Sequence, residues 1–148
     1  MDTLAAWRKT AIGWLSRREH SRAELKQKLL QKGASGAEAD TVLEWCQQQG
    51  YQNEQRFLEM LLRSRCRQGY GYQYIVQEAR QHQITAAELS ALAEQLEIDW
   101  WAQAEAAYQK KFADKAIADY QDKMKRMAYL QRRGFSSEQI RAVLGNNS

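Results

Sequence analysis

Apolar residues recur along this chain at i, i+3 and i+4, which places them on one helical face, and the arrangement returns with a period of about 50 residues. Three segments set the phase: Ser35-Gly-Ala-Glu38, Thr85-Ala-Ala-Glu88 and Ser136-Ser-Glu-Gln139. Each is a capping box, in which the hydroxyl accepts the N3 amide proton while the Glu or Gln side chain reaches back to the N-cap amide. Behind the boxes the apolar positions coincide, Ala39 with Leu89 and Ile140, Val42 with Leu92 and Val143, Leu43 with Ala93 and Leu144. The helix before each box repeats as well, as SRAELKQKLLQKG from 21, GYQYIVQEARQHQ from 71 and, displaced by one residue, DKMKRMAYLQRRG from 122. Ser21 and Glu24 form a fourth box, and Gly71 stands at the matching N-cap, where glycine is acceptable. Longer helices over 4–17, 54–67 and 99–113 precede the pairs, with Trp7, Phe57 and Tyr108 in register and Ala11, Leu61 and Phe112 one turn on.

These elements predict an all-α fold of nine helices in three tandem helix-turn-helix-like repeats, 1–50, 51–98 and 99–148, forming one repeat-built domain over 1–148. One three-helix unit buries little apolar surface, so the copies are expected to stack into an elongated, curved molecule. Composition agrees, with no proline and only eight glycines among helix-favouring residues. A formal charge of +4 and a pI near 9.1 describe a mildly basic surface, suited to nucleic acid or to an acidic protein groove. Cys46 and Cys66 share no metal-ligand spacing with each other or with His20 and His82, so two reduced thiols in or near the core are expected, with no metal and no cofactor. The amphipathic stretch after Met1 has no apolar run long enough for a signal peptide or a span, which predicts a cytoplasmic protein with no membrane partner.

The candidate chemistry is charge and aromatic surface. RSRCRQGYGYQYI, residues 63–75, lacks the third glycine of GxGxxG and any Lys-Ser or Lys-Thr pair, which argues against a phosphate-cradling loop. Gly69 and Gly71 instead let one helix stop and the next begin, Gly69 in a left-handed C-terminal position. At 100° per residue Arg56, Arg63 and Arg67 share a narrow arc opposite Phe57, Leu58, Leu61 and Leu62, whereas Arg65 falls with the apolar set and is expected to pair with a carboxylate or snorkel from the core edge. Arg63 and Arg67, with Tyr70 and Tyr72 beside the glycines, are candidate partner-binding or nucleic-acid-binding residues. The densest basic surface is expected in the third repeat, where Lys125, Arg126, Arg132 and Arg133 surround Tyr129 on the side away from Met127 and Leu130. Cations around a stacking ring suit single-stranded nucleic acid, and the same surface suits an acidic protein. Arg17, Arg18 and Arg22 form a smaller cluster beside His20. Trp7, Trp14, Trp45 and Trp100 read as core, with Trp101 exposed. Glu19, Glu24 and Glu44 sit in patterns of capping and surface pairing, and no catalytic arrangement emerges.

With these residues placed, the sequence resembles the RecX family, regulators of the RecA recombinase. The resemblance is carried by WLSRREHSRAELKQKLLQKG at 14–33, RSRCRQGYGYQYI at 63–75 and YLQRRGFSSEQIRAVL at 129–144, in family order, with a departure at Tyr72 and Gln73. It implies three tandem three-helix repeats and a non-enzymatic, mainly negative modulator. Such a protein would lie in the groove of the RecA filament on single-stranded DNA and suppress ATP hydrolysis, strand exchange or filament growth in recombination, DNA repair and the SOS response. A monomer with weak, sequence-indifferent affinity for single- and double-stranded DNA is expected. The rival classes are a helix-turn-helix transcription factor and a scaffold for another partner. Against the first, the short helices carry few Asn, Gln or Arg residues arranged to read base edges, and no dimerisation helix is evident.

Overall fold

Hydroxyl caps set where helices begin. Ser35, Thr85 and Ser136 each accept a hydrogen bond from the amide three residues on, and the reciprocal arm from Glu38 and from Gln139 closes the box at Ser35 and Ser136. Ser21 caps in the same way toward the Glu24 amide. The computed structural model describes residues 3–147, so the outer repeat bounds, at Met1, Asp2 and Ser148, lie outside the described residues. Among the described residues there are nine helices and no strand: α1 (Thr3–Leu15), α2 (Arg22–Lys32), α3 (Gly36–Gln48), α4 (Glu54–Arg67), α5 (Tyr72–Gln81), α6 (Ala86–Gln95), α7 (Trp100–Phe112), α8 (Tyr120–Arg132) and α9 (Ser137–Asn146). The all-α, three-by-three organisation is as expected. The third copy differs at its start, where Asp119, not a hydroxyl, caps α8 by accepting from the Asp122 amide.

The chain divides into two compact units, Met1–Met60 and Leu61–Ser148, with the boundary inside α4. In the first, Ala11, Leu25, Leu29, Ala39, Val42, Leu43 and Cys46 form a core on which Trp7, Trp14 and Trp45 lie partly buried. Cation faces cover two of these rings, Arg8 over Trp45 at 4.9 Å and Lys28 over Trp14 at 4.6 Å. α1 stops at Leu15, before the expected residue 17, and the turn that follows leads to His20, which is only 2% exposed. The His20 ring is held on both sides, Nδ1 3.0 Å from the Arg18 carbonyl and Nε2 3.1 Å from Lys28 Nζ. An ammonium can only donate, so Nε2 accepts and Nδ1–H donates to the carbonyl. Gln52, 1% exposed, donates to the His20 carbonyl and to Glu54 and so ties the start of α4 to the turn before α2.

In the second unit, Ile75, Val76 and Ala79 of α5 and Leu89, Leu92 and Ala93 of α6 are buried. Ala104, Ala107 and Tyr108 of α7 form a further core with Leu130, Phe135, Ile140, Val143 and Leu144. α5 and α8 meet through backbone. The Gly71 amide donates to the Arg133 carbonyl at 2.7 Å and the Gln73 amide to the Gly134 carbonyl at 3.0 Å. Donors at the N-cap and first turn of α5 thus meet carbonyls of the C-cap of α8 and the residue after it, joining the start of one helix to the end of the other. A Cβ on Gly71 would sit 2.6 Å from Phe135 Cδ1 and 2.7 Å from the Gly134 carbonyl oxygen. One on Gly134, whose φ is +99°, would sit 2.4 Å from the Tyr74 amide nitrogen.

Two expectations follow. Gly134→Ala should lower stability by about 1–3 kcal/mol, from overpacking added to a left-handed backbone. Gly13→Ala, inside α1 with nothing near its Cβ, should raise it by about 0.5–1 kcal/mol; denaturant titration of both variants checks the signs. Burial, assisted by the nearby cations, holds the His20 pKa below its ordinary value. The unfolded chain therefore takes up the proton first. The contribution of neutral His20 to stability should be full above about pH 6.5 and be lost as pH falls through the lower folded value. The difference in Tm between the wild type and His20→Gln, followed from pH 8 to pH 5, should shrink in that direction.

Candidate functional site

The α5–α8 junction brings aromatic rings and cations to one place. Tyr70 precedes Gly71, Tyr74 lies in the first turn of α5, and Tyr129, Arg132 and Arg133 lie in the last turn and C-cap of α8. The Tyr70 and Tyr74 rings stack with centroids 3.8 Å apart and planes 15° from parallel. The Arg133 guanidinium covers Tyr70 at 4.4 Å, stands 5.3 Å from the Tyr129 ring and donates to the Gln68 carbonyl at 3.2 Å. Lys111, from α7, brings its ammonium within 5.4 Å of the Tyr129 centroid. Tyr70, Tyr74, Lys111, Tyr129, Arg132 and Arg133 line one open cleft of about 450 Å³.

Several sequence expectations meet here and several do not. Tyr70, Tyr129, Arg132 and Arg133 are brought together. Tyr129 is not an open stacking ring, because Phe112 meets it edge-on at 5.5 Å and two cations flank it. Lys125 is exposed and lies outside the cleft lining. Arg126 corrects the sequence reading outright. It is 4% exposed, donating to the Tyr108 hydroxyl at 2.5 Å and to the Lys115 and Ala116 carbonyls at 2.9 and 3.2 Å, with Asp122 3.0 Å away. Five donors in a planar fork can serve that many acceptors at once, and Arg126 fastens the α7–α8 connection to the core. Burial alone would lower its pKa, but the Tyr108 and Asp122 contacts more than offset it and the net shift is upward. Asp122, one turn earlier, is held below the usual carboxylate range chiefly by the Ala118 amide.

Tyr72 also goes elsewhere: its hydroxyl lies 2.6 Å from Ser90 Oγ and its ring meets Trp100 edge-on at 5.6 Å, so it serves packing. Arg63 and Arg67 are exposed on α4, as their helical phase predicts, but neither lines this cleft. Arg65 pairs with Glu78 at 2.6 Å, which keeps its guanidinium pKa raised. Arg56 does not stand open beside Arg63 and Arg67; it binds Glu19 and the Gly50 and Tyr51 carbonyls. In the first cluster Arg17 is exposed, Arg18 pairs with Glu24, and Arg22 donates to Gln47. Trp101, 49% exposed, is the open tryptophan, as expected. Cys46 is buried, and burial pushes the half-buried Cys66 thiol up to about 11. Sequence reasoning left out two cleft residues, Tyr74 and Lys111. For Tyr74 the signal was its spacing of four from Tyr70 across the helix start. No group of three or more His, Cys, Asp or Glu side chains that could hold a metal occurs among the described residues. None of the described helices is long and apolar enough to cross a membrane.

Family comparison places this surface in context. Models of the RecX family match in succession, the first three-helix domain at 8–46, the second at 53–91 and the third at 97–144. The chain is 39% identical over 138 residues to the regulatory protein RecX of Halorhodospira halophila (strain DSM 244 / SL1), covering 93% of this chain and 86% of that protein. The chain belongs to the RecX family. RecX relatives include the regulatory protein of Pseudomonas fluorescens (strain SBW25), 37% identical over 144 residues, 97% of this chain and 93% of that one. The fold agrees with the crystal structure of RecX from Lactobacillus salivarius at a TM-score of 0.77 and 15% identity, over 97% of this chain and 95% of that one. A second regulatory protein RecX structure gives a TM-score of 0.80 at 17% identity, over 96% and 73%. In RecX terms the cleft draws Tyr70 and Tyr74 from the second domain match and Lys111, Tyr129, Arg132 and Arg133 from the third.

Arg126→Ala should therefore behave as a core lesion. It leaves two carbonyls and the Tyr108 hydroxyl short of a donor, which costs about 1–3 kcal/mol, whereas Arg132→Ala should change stability by less than about 0.5 kcal/mol. Thermal melts of the two variants test the reassignment.

Proposed function

We propose that this protein modulates the RecA recombinase, mainly as a negative regulator, without chemistry of its own. On this reading it acts as a cytoplasmic monomer. It lies in the groove of the RecA filament on single-stranded DNA and suppresses ATP hydrolysis, strand exchange or filament growth. The carrying observation is the match of all three RecX domains in order across the chain, with relatives named as regulatory proteins over nearly its whole length. The cleft adds the means. Lys111, Arg132 and Arg133 offer positive charge beside aromatic rings, a combination that accepts phosphates or acidic side chains.

A filament ligand that relied on charge alone would fail as salt rises. Groove contacts also bury apolar and hydrogen-bonding surface, which salt screens far less.

The test is RecA ATPase on single-stranded DNA, titrated with this protein at increasing salt, beside anisotropy of the protein on bare single strands. ATPase should fall with added protein. Bare-strand binding should be sequence-indifferent and weaken with a log-log slope of about −0.7 per neutralised phosphate. Inhibition should persist at a salt concentration where bare-strand binding is lost. Lys111→Glu with Arg132→Glu should weaken both activities, the bare-strand binding more. An unchanged ATPase removes the proposal, and strong preference for one duplex sequence would favour a transcription factor.

A further inference from the structure

We infer that Tyr74 seats one unstacked nucleobase of a single strand, with Gln77 and Gln131 facing the base edge and Lys111 and Arg132 taking the adjoining phosphates. The inference deepens the nucleic-acid side of the proposed function and rests on it. Its first support is the order of the stack. Tyr70 receives Arg133 at 4.4 Å and Tyr74 at 3.8 Å, and since two groups cannot share one face of a ring, both Tyr70 faces are used. The column Arg133–Tyr70–Tyr74 therefore ends on Tyr74. With one face against Tyr70, Tyr74 is still 37% exposed and lines two open clefts.

The second support is what lies on either side. Tyr74 and Arg132 line both the cationic cleft and a neighbouring one of about 420 Å³, whose walls include Gln73, Gln77, Gln81 and Gln131. The two clefts differ in chemistry, one rich in cations and the other in side-chain amides. A nucleotide divides in the same way, into a phosphate and a flat ring edged with donors and acceptors. Each glutamine carries a donor and an acceptor and can turn to suit whichever the base presents, so the site takes any base. Glu78, the carboxylate in the amide cleft, is neutralised by Arg65 at 2.6 Å and does not repel a phosphate next door. An acidic peptide would satisfy Lys111 and Arg132 but would leave the Tyr74 face and the amides without a counterpart. A duplex would not fit, because its bases stay stacked and expose no face.

The experiment compares a short oligodeoxythymidylate with an abasic oligomer of the same length and phosphate count, both by anisotropy on the full chain. The wild type should bind the thymidylate about 10-fold more tightly, in keeping with one base–aromatic stack. Tyr74→Leu should erase that ratio and Tyr74→Phe restore it. Lys111→Gln with Arg132→Gln should weaken both oligomers equally and flatten the salt dependence. Equal wild-type affinity for the two oligomers overturns the inference without need of any variant. So does polyglutamate that competes as well as the thymidylate, which would mark the surface as one for acidic protein. RecA ATPase is read with the same preparations. Suppression without a base-dependent ratio sinks this inference alone, whereas absence of any effect on RecA sinks the proposed function.

Discussion

The second unit hangs on the contact of two glycine backbones. Gly71 and Gly134 approach so closely that the amides opening α5 bond directly to the carbonyls closing α8, with no side chain between them. A helix end ordinarily leaves such groups to water or to a capping side chain. Here the end of one helix caps the start of another, so the two are fixed to within the tolerance of a hydrogen bond. The positions of the neighbouring side chains follow. Tyr70 immediately precedes Gly71, Tyr74 lies in the first turn of α5, and Arg132 and Arg133 immediately precede Gly134. A junction through side chains would fix less closely the 3.8 and 4.4 Å separations that define the stack.

The repeat was legible because its signals are local. A capping box needs four consecutive residues, and an apolar face needs one helix, so Ser35, Thr85 and Ser136 with their following Ala39, Leu89 and Ile140 marked three equivalent helices without any knowledge of packing. The division between Arg65 and its neighbours Arg63 and Arg67 was legible for the same reason, since helical phase alone turns Arg65 inward. Each of these readings depends on geometry within about four residues of chain.

The site was only partly legible because it depends on contacts that helical phase cannot carry. The α8 wheel puts Arg126 one turn before the buried Leu130, about 40° away, and about 120° from Arg132, so it sets Arg126 beside the apolar stripe although its charge argued for solvent. It does not show that the connection from α7 folds over the first half of α8 and delivers the Lys115 and Ala116 carbonyls to Arg126. The two arginines are thereby put to different uses, buried polar structure at Arg126 and open basic surface at Arg132. Tyr72 and Tyr74 show the same limit. Both lie just past Gly71, but residues two apart diverge by about 200° on a helix, which sends Tyr72 toward Ser90 and Trp100 and Tyr74 toward Tyr70.

The net charge of +4 overstates how diffuse the basic character is. Arg18, Arg56 and Arg65 are matched to carboxylates, and Arg126 is matched to Asp122 and to carbonyls. Charge held in such pairs adds little field at a distance, because opposite charges a few ångströms apart look neutral beyond a Debye length. The cations of the cleft are arranged differently. Lys111 and Arg133 face π-systems instead of carboxylates, and a ring quadrupole attracts a cation without cancelling its charge. Aromatic neighbours thus hold the cations in place while leaving their field available. On the proposed reading, in which this surface meets a polyanion or an acidic groove, charge is positioned without the neutralisation that a carboxylate partner would bring.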